Sequence, residues 1–425
     1  MKPYPAYKDS GLPWFGYLPK HWNLSALSTL SKLSVDRNPG DLPLLSVFLD
    51  RGVIPYDQGG GQVHAPSMDL SNYQVVRPGD FVLNNQQAWR GSVGVSAHHG
   101  IISPAYIVLC LSAQLNPTYS NYLMRCAAMV HQFVVASKGV GDIQRQIYWP
   151  YLRRVQVPLP PIDEQRAIVA YLDRKNADID RFITKKRQLI ALLHEQKAAI
   201  INQAVTKGLN PDAPMKPSGV EWMGDIPLEW SLLPASTVLQ EKKVRNTGFV
   251  SHTVLSLSYG QIVIKDIEVG GGLQPASFET YQMVEPGNIV LRLTDLQNDQ
   301  RSLRVGLAKH SGIITSAYLC LSTKNGLLPG FVYLQLHAAD SKKVLYGLGG
   351  GLRQSMGFSD LKRLPILLCP PAEQLNIVAH VESEISQVNN AISKIKREIE
   401  LINEYRTTLI SDAVTGKIDV RETRH

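Results

Sequence analysis

Arginine, lysine and glutamine side chains set in glycine-bounded polar stretches are the residues of this chain best placed to do chemistry, and that chemistry is recognition of a polyanion. Cations meet phosphate oxygens, while the planar donors of Arg and Gln match base edges in a groove. In the N-terminal half the candidates are Gln86, Gln87, Arg90, Lys138, Gln144 and Arg145. In the C-terminal half they are Arg292, Arg301, Arg304, Lys342, Lys343, Arg353 and Gln354. The stretches KGVGDIQR, 138–145, and GGGLRQ, 349–354, stand out because glycine lets a backbone approach closely beside Arg and Gln. The plain alternative for any one of these residues is a solvated surface charge.

Composition agrees without deciding. Lys and Arg number 44 against 36 Asp and Glu, a net charge of +8, which favours polyanion partners. Catalytic patterns are missing: there is no GxSxG, HExxH or Walker motif. The adenine-methyltransferase pattern NPP[YF] is not met either, since Asn38-Pro39, Asn116-Pro117 and Asn210-Pro211 are followed by Gly40, Thr118 and Asp212. The glycine runs 59–61 and 270–272 lack both the GK[ST] ending and the GxGxxG spacing of phosphate cradles and read as structural loops. A loose PD...ExK nuclease string joins Asp212 to Glu241 and Lys243, but Asp212 falls in a Pro-rich linker and Glu241 matches Leu33 in the first half. The expectation is therefore no catalytic residue, no metal ligand and no cofactor bound by this chain. Cys110, Cys126, Cys320 and Cys369 have no zinc spacing and read as free thiols of a reducing cytoplasm. No apolar run reaches the length of a membrane span, which points to a cytoplasmic protein.

The elements that would position these side chains occur twice. SGLPWFGYLPKHW at 10–22 returns as SGVEWMGDIPLEW at 218–230. RPGDFVL at 77–83 answers to EPGNIVL at 285–291, GIISPAY at 100–106 to GIITSAY at 312–318, and PPIDEQ at 160–165 to PPAEQ at 370–374. Short β-branched and aromatic runs such as 44–48, 80–83, 106–111, 289–291 and 317–321 predict strands. Helical spacing of Tyr119, Tyr122, Leu123, Cys126, Val130 and Phe133 predicts one helix over about 117–136, and another begins near Pro329. Each copy is thus an α+β domain, about 23–160 and 230–369. For Trp14, Trp22, Trp222 and Trp230 of the duplicated motif base stacking is the alternative; the expectation is that they anchor a core and dock each domain on the long charged helices that come after the two Pro-Pro steps.

Past each Pro-Pro the period becomes helical. Ile179, Ile183, Ile190, Leu193, Ile200 and Ala204 occupy heptad seam positions over 163–207, with Asp163 as a cap and Gly208 as a stop. Ile385, Val388, Ile392, Ile395, Ile399, Ile402, Leu409 and Ala413 do so over 373–415, interrupted at Arg406. Such a stripe needs a partner, because exposed apolar surface forgoes roughly 25 cal/mol per Å². The other copy supplies it, and alternation of domain and helix along the chain favours antiparallel packing. Lys186 and Lys197 fall in seam slots, where they either fix register or snorkel to solvent. A helix of 45 residues spans about 68 Å, and about half of it matches one turn of B-DNA.

The pattern SG..W.G..P..W, the RPGD segment, Trp89–Ser96 (WRGSVGVS), GIxSPAY, and PLPPxxEQ opening a long helix resembles the specificity subunit of type I restriction-modification systems. The resemblance covers nearly the whole chain twice. It implies two pseudo-repeated target-recognition domains separated by a long antiparallel two-helix coiled coil. On it the chain divides into a first recognition domain, 1–161, a first spacer helix, 162–210, a second recognition domain, 211–371, and a second spacer helix with tail, 372–425. The same resemblance implies double-stranded DNA as ligand, two methyltransferase subunits carrying S-adenosylmethionine, and restriction or motor subunits using ATP and Mg. In the second copy Asn288 replaces Asp80, Thr315-Ser316 replaces Ser103-Pro104, and Trp89–Ser92 has no clean equivalent. The alternatives left open are a repeat-built nuclease acting alone and a structural hub that does not touch DNA.

Overall fold

A computed structural model describes residues 2–38, 40–59, 66–140, 144–258, 260–265, 277–294, 303–324, 326–348 and 356–421. The chain folds as two compact units, one of residues 1–186 with 397–425, the other of residues 187–396. Each unit therefore holds one repeat together with a piece of both long helices, which run over Ile162–Lys207 and Pro371–Val414.

In the first unit an antiparallel four-stranded sheet has the order Ser31–Leu33, Tyr106–Leu111, Phe81–Asn84, Val93–Val95. In the second the order is Leu239–Glu241, Leu319–Thr323, Ile289–Leu291, Val305–Leu307. Two-stranded pairs repeat as well: Asn23–Ala26 with Gln156–Leu159 corresponds to Ser231–Pro234 with Pro365–Leu368. Glu241 stands opposite Leu321 as Leu33 stands opposite Leu109, so the nuclease-string glutamate is a sheet residue. It ion-pairs with Lys243. Asn288 keeps the task of Asp80: Asp80 accepts the Arg77 amide at 2.7 Å, and Asn288 accepts the Glu285 amide at 2.9 Å. An amide oxygen and a carboxylate serve that turn alike. The hairpin of Ser137–Val140 with Gln144–Ile147 has no counterpart strand pair among the described residues.

The helix expected over 117–136 is two helices, Pro117–Met124 and Ala127–Ala136, because Cys126 is extended at ψ 155. The Arg125 guanidinium at this break donates to the carbonyls of Leu49, at 3.2 Å, and Asp50, at 2.6 Å. Asp163 is not a cap. It lies in the first turn of its helix, where a carboxylate suits the dipole, and ion-pairs with Arg166.

In the first unit the long-helix pieces share one core with the repeat: Ile168 and Leu172 from one helix and Leu409, Ala413 and Val414 from the other pack with Leu18, Trp22, Phe81 and Phe133. The seam expectation holds in direction. Asp180 ion-pairs with Arg406 and Lys186 with Glu398, so numbers rise on one helix as they fall on the other. In the second unit Lys197 donates to Asn389 at 3.4 Å, and Ile201, Ala204 and Val205 share a core with Ile377 and Val381. Ile179, Ile183, Val388, Ile392, Ile395 and Leu409 are buried, while Ile190, Leu193, Ile200, Ile385, Ile399 and Ile402 are half-buried. The two seam lysines reach partners across the seam rather than simply snorkelling.

Lys197 still disfavours its site. Burial holds its pKa below the ordinary lysine value, and with Tyr333, His337, Ile385 and Asn389 it lines a cavity of about 670 Å³. Burial, then the Lys197 charge, also lower His337 to about 4. The folded pKa of Lys197 lies below the unfolded one, so the penalty is complete at neutral pH and fades as pH rises towards the usual lysine range. Lys197→Met is expected to stabilise the protein by about 1 kcal/mol at pH 7, and to remove that alkaline gain. Chemical denaturation at pH 7 and pH 10 checks this; a destabilised variant would show the Asn389 contact to outweigh desolvation.

Candidate nucleic-acid interface

Both units anchor the duplicated motif in the same way. Trp22 donates its indole N–H to Glu164 at 3.0 Å, and Trp230 donates to Glu373 at 3.0 Å. The glutamine next in sequence closes the helix start: Gln165 accepts from the Asn116 amide at 2.8 Å and Gln374 from the Leu328 amide at 3.0 Å. Trp22 and Trp230 are fully buried, and Trp14 and Trp222 half-buried, so the tryptophans are core anchors as expected. Gly416, at φ +73, lies so close to Pro19 and Trp22 that an added Cβ would sit 2.4 Å from Pro19 Cδ. Gly208, at φ +70, occupies the matching place beside Trp230 and Glu373. The Glu-Gln pair is thus a positioning device, and its signal in the sequence was its recurrence after each Pro-Pro.

On this frame the first unit gathers most of its candidates. Gln86, Gln87 and Arg90 lie in the connection between the strands Phe81–Asn84 and Val93–Val95, which turns through a short 3-10 helix at Ala88–Arg90. Gly91 ends that turn at φ +100, a left-handed conformation that side chains strain to adopt. The hairpin bearing Lys138 and Arg145 is tied to the same connection by the Ile147 amide, which donates to Asn85 at 2.8 Å. Arg145 stands opposite Gly139 and Lys138 opposite Gln146, so successive residues present cations on alternate faces. Arg90 and Arg145 lie 4.6 Å and 5.8 Å from the Trp89 ring centroid, and Lys138 lies 4.3 Å from that of Tyr151. Gln86 and Arg90 are exposed; Gln87, Lys138 and Arg145 sit among the half-buried to exposed positions of the cluster. The backbone of Gln144 belongs to the hairpin, and its side chain lies outside the described residues. Residue types alone gave no warning that Trp89 and Tyr151 would order these cations, because the contacts join separate segments.

The second unit differs. Arg301, Arg353 and Gln354 lie outside the described residues, as do Gly60, Gly61, 270–272 and 349–351 of the glycine runs. Arg304 is a correction: fully buried, it cannot meet a duplex while in place. Its Nε donates to Tyr346 at 3.1 Å, and its Nη1 to the carbonyls of Arg292 and Thr294 at 3.2 Å and 2.9 Å. Its backbone amide donates to Asp340 at 2.7 Å. Arg304 therefore fastens the loop that it belongs to. Arg292 is half-buried, while Lys342 and Lys343 are exposed, with Lys343 4.8 Å from the Tyr346 ring centroid.

The four cysteines are free, Cys110 half-buried and the others buried. Among the described residues no group of three His, Cys, Asp or Glu side chains gathers as a metal site, and no helix is long and apolar enough to cross a membrane.

No protein-family model matches the chain. It is 22% identical over 313 residues to a putative type I restriction enzyme specificity subunit, MjaX, of Methanocaldococcus jannaschii, and 23% identical over 301 residues to the MjaVIII specificity subunit of the same organism. These alignments take in 72% and 67% of this chain, which spans 69% and 66% of the two relatives. Among solved structures it superposes on a chain from work on complex assembly and conformational transition of the type I R-M system, with a TM-score of 0.61 at 17% identity over 94% of this chain and 99% of that one. On the crystal structure of the HsdS subunit from Thermoanaerobacter tengcongensis the TM-score is 0.50 at 16% identity, over 94% and 98%. In sequence and in fold the chain is similar to type I restriction specificity subunits, the family that its repeated motifs resemble.

Proposed function

We propose that this chain is the DNA-recognition subunit of a type I restriction-modification complex and performs no catalysis itself. Each unit reads one half of a bipartite, asymmetric duplex site in the major groove, where base pairs differ in donor and acceptor pattern. The antiparallel long helices set the interval between the halves. Their outward faces dock two methyltransferase subunits, in the cytoplasm, so that an adenine in each half can be flipped out and methylated. S-adenosylmethionine, ATP and Mg belong on this reading to the methyltransferase and motor subunits.

The observation that carries the reading is one frame with two decorations. Sheet order, Trp-Glu anchor and Gln latch repeat, whereas among the described residues the loops that could face a ligand differ: the first unit arrays Arg90, Arg145 and Lys138 over aromatic rings, and the second buries Arg304 and exposes Lys342 and Lys343. A duplicated frame with unlike loops fits two unlike half-sites.

Mapping methylated adenines in DNA from cells that carry this chain and its methyltransferase tests the proposal. A motif of two unlike halves at a fixed gap, lost when the gene is removed, is the expected result. Methylation unchanged by that removal would end the DNA-reading proposal and favour a hub. Cleavage of plasmid by the purified chain with magnesium would favour the nuclease reading built on Asp212 and Glu241.

A further inference from the structure

We infer that two adjacent cations in each unit, Arg153 with Arg154 and Lys362 with Arg363, are phosphate clamps, a grip on the DNA backbone that the repeat keeps while its loops change. This rests on the reading of the chain as a DNA reader. Each pair occupies the same turn, between a short helix, Trp149–Leu152 or Phe358–Leu361, and the strand that follows it, Gln156–Leu159 or Pro365–Leu368. All four residues are exposed, and among the described residues none of their side chains makes an ion pair or a hydrogen bond. The backbone beneath them is fixed. Leu152 and Val155 flank the first pair and Leu361 and Leu364 the second, all four buried. The carbonyls of Arg153 and Lys362 accept from the Ser28 and Ser236 amides, at 3.1 Å in both units, and those of Val155 and Leu364 accept from the Leu27 and Ala235 amides at 2.8 Å.

A cation that serves the fold finds a carboxylate or a carbonyl, as Arg77 does at Asp36 and Arg304 at Thr294. These four find neither, although their turn is held by the same hydrogen bonds in both copies. The kind of side chain points to phosphate. Arg153 is matched by Lys362, and exchanging a planar fork for a point charge would spoil contact with a base edge but not with a phosphate oxygen. In the first unit both arginines border a cleft of about 430 Å³ together with Ser28 and Gln156. The turn also continues the candidate interface, since Lys138 lies 4.3 Å from the ring centroid of Tyr151, two residues before Arg153. An acidic protein surface would attract the same charges, and that continuity favours the duplex. Phosphates recur along any sequence, so one clamp geometry can serve two unlike half-sites.

The full-length chain is used to select from a pool of randomised duplexes, and binding to the selected duplex is then titrated across a range of salt. Arg153→Gln with Arg154→Gln should lower the slope of log affinity against log salt by about 1.8, at about 0.9 for each phosphate contact, and Lys362→Gln with Arg363→Gln should do the same. Over a fourfold rise in salt, each double variant should lose roughly tenfold less affinity than wild type loses. Both half-motifs should stay as they are, because phosphates carry no sequence. Arg153→Lys with Arg154→Lys keeps the charge and should keep the slope. Where a double variant fails to fold, each single substitution should still lower the slope by about 0.9. Wild type that selects no motif would defeat the DNA-reading proposal itself. With a wild-type motif in hand, a slope left unchanged by either Gln pair would overturn the clamps alone, and loss of methyltransferase binding at an unchanged slope would assign the cations to an acidic protein surface instead. A relaxed half-motif would make them base readers and overturn the clamps as well.

Discussion

Replacing Glu164 by alanine is expected to destabilise the first unit by about 3–5 kcal/mol, the cost of leaving buried donors without their charged acceptor. One carboxylate serves three side chains: Tyr4 Oη donates at 2.6 Å, Trp22 Nε1 at 3.0 Å, and His21 Nε2 lies 2.7 Å from the second oxygen. Tyr4 is 3% exposed and Trp22 is fully buried, so neither can turn to water. Burial, and then the Glu164 carboxylate, raise the Tyr4 phenol above its ordinary range, which keeps it a donor at neutral pH. Glu164→Gln retains one acceptor oxygen and should fall between. In the second unit Glu373 holds Trp230 but stands closer to solvent, so Glu373→Ala should cost about 1–2 kcal/mol. Calorimetric unfolding of both variants separates the cases. Equal losses, or a loss at Glu164 below about 1.5 kcal/mol, would show that packing of the tryptophans holds the motif without the carboxylate.

What was legible in the sequence is what hydrophobic period and repetition encode. Strands at 45–48, 81–84 and 106–111 and both long helices follow from alternating or heptad patterning, because burial of one face dictates the period. What was not legible depends on partners far along the chain. The apolar spacing over 117–136 continues through Arg125, yet carbonyls 75 and 76 residues away accompany the break there. Arg304 looks like any loop cation until Tyr346, 42 residues on, and the carbonyls of Arg292 and Thr294 enclose it. Lys186 and Lys197 looked like faults in a seam, and only the antiparallel register places Glu398 and Asn389 opposite them. The candidate interface residues belong to the same class. Arg90 and Arg145 were visible as cations, but their convergence on one indole was not.

Removing one seven-residue repeat between 179 and 200, together with its match between 388 and 409, is expected to shorten the gap between half-sites while both half-sequences stay as they are. Seven helical residues span about 10.5 Å, close to three base pairs at 3.4 Å each. Both helices must be cut. Shortening one alone shifts the register that pairs Asp180 with Arg406 and Lys186 with Glu398, and should weaken folding instead. The double deletion brings a second consequence. Three base pairs turn a duplex by about 100°, given 10–10.5 pairs per turn, whereas a heptad returns a helix nearly to its starting face, with about 20° of drift. A half-site moved three pairs inward therefore no longer faces its reader without twisting of the DNA or of the protein, so affinity should fall even for the best new gap. Selection from duplexes with every gap length reads both effects at once. A gap that does not change would remove the helices from the measurement of distance, and a shorter gap bound as tightly as the original would show that the two readers are not rigidly held.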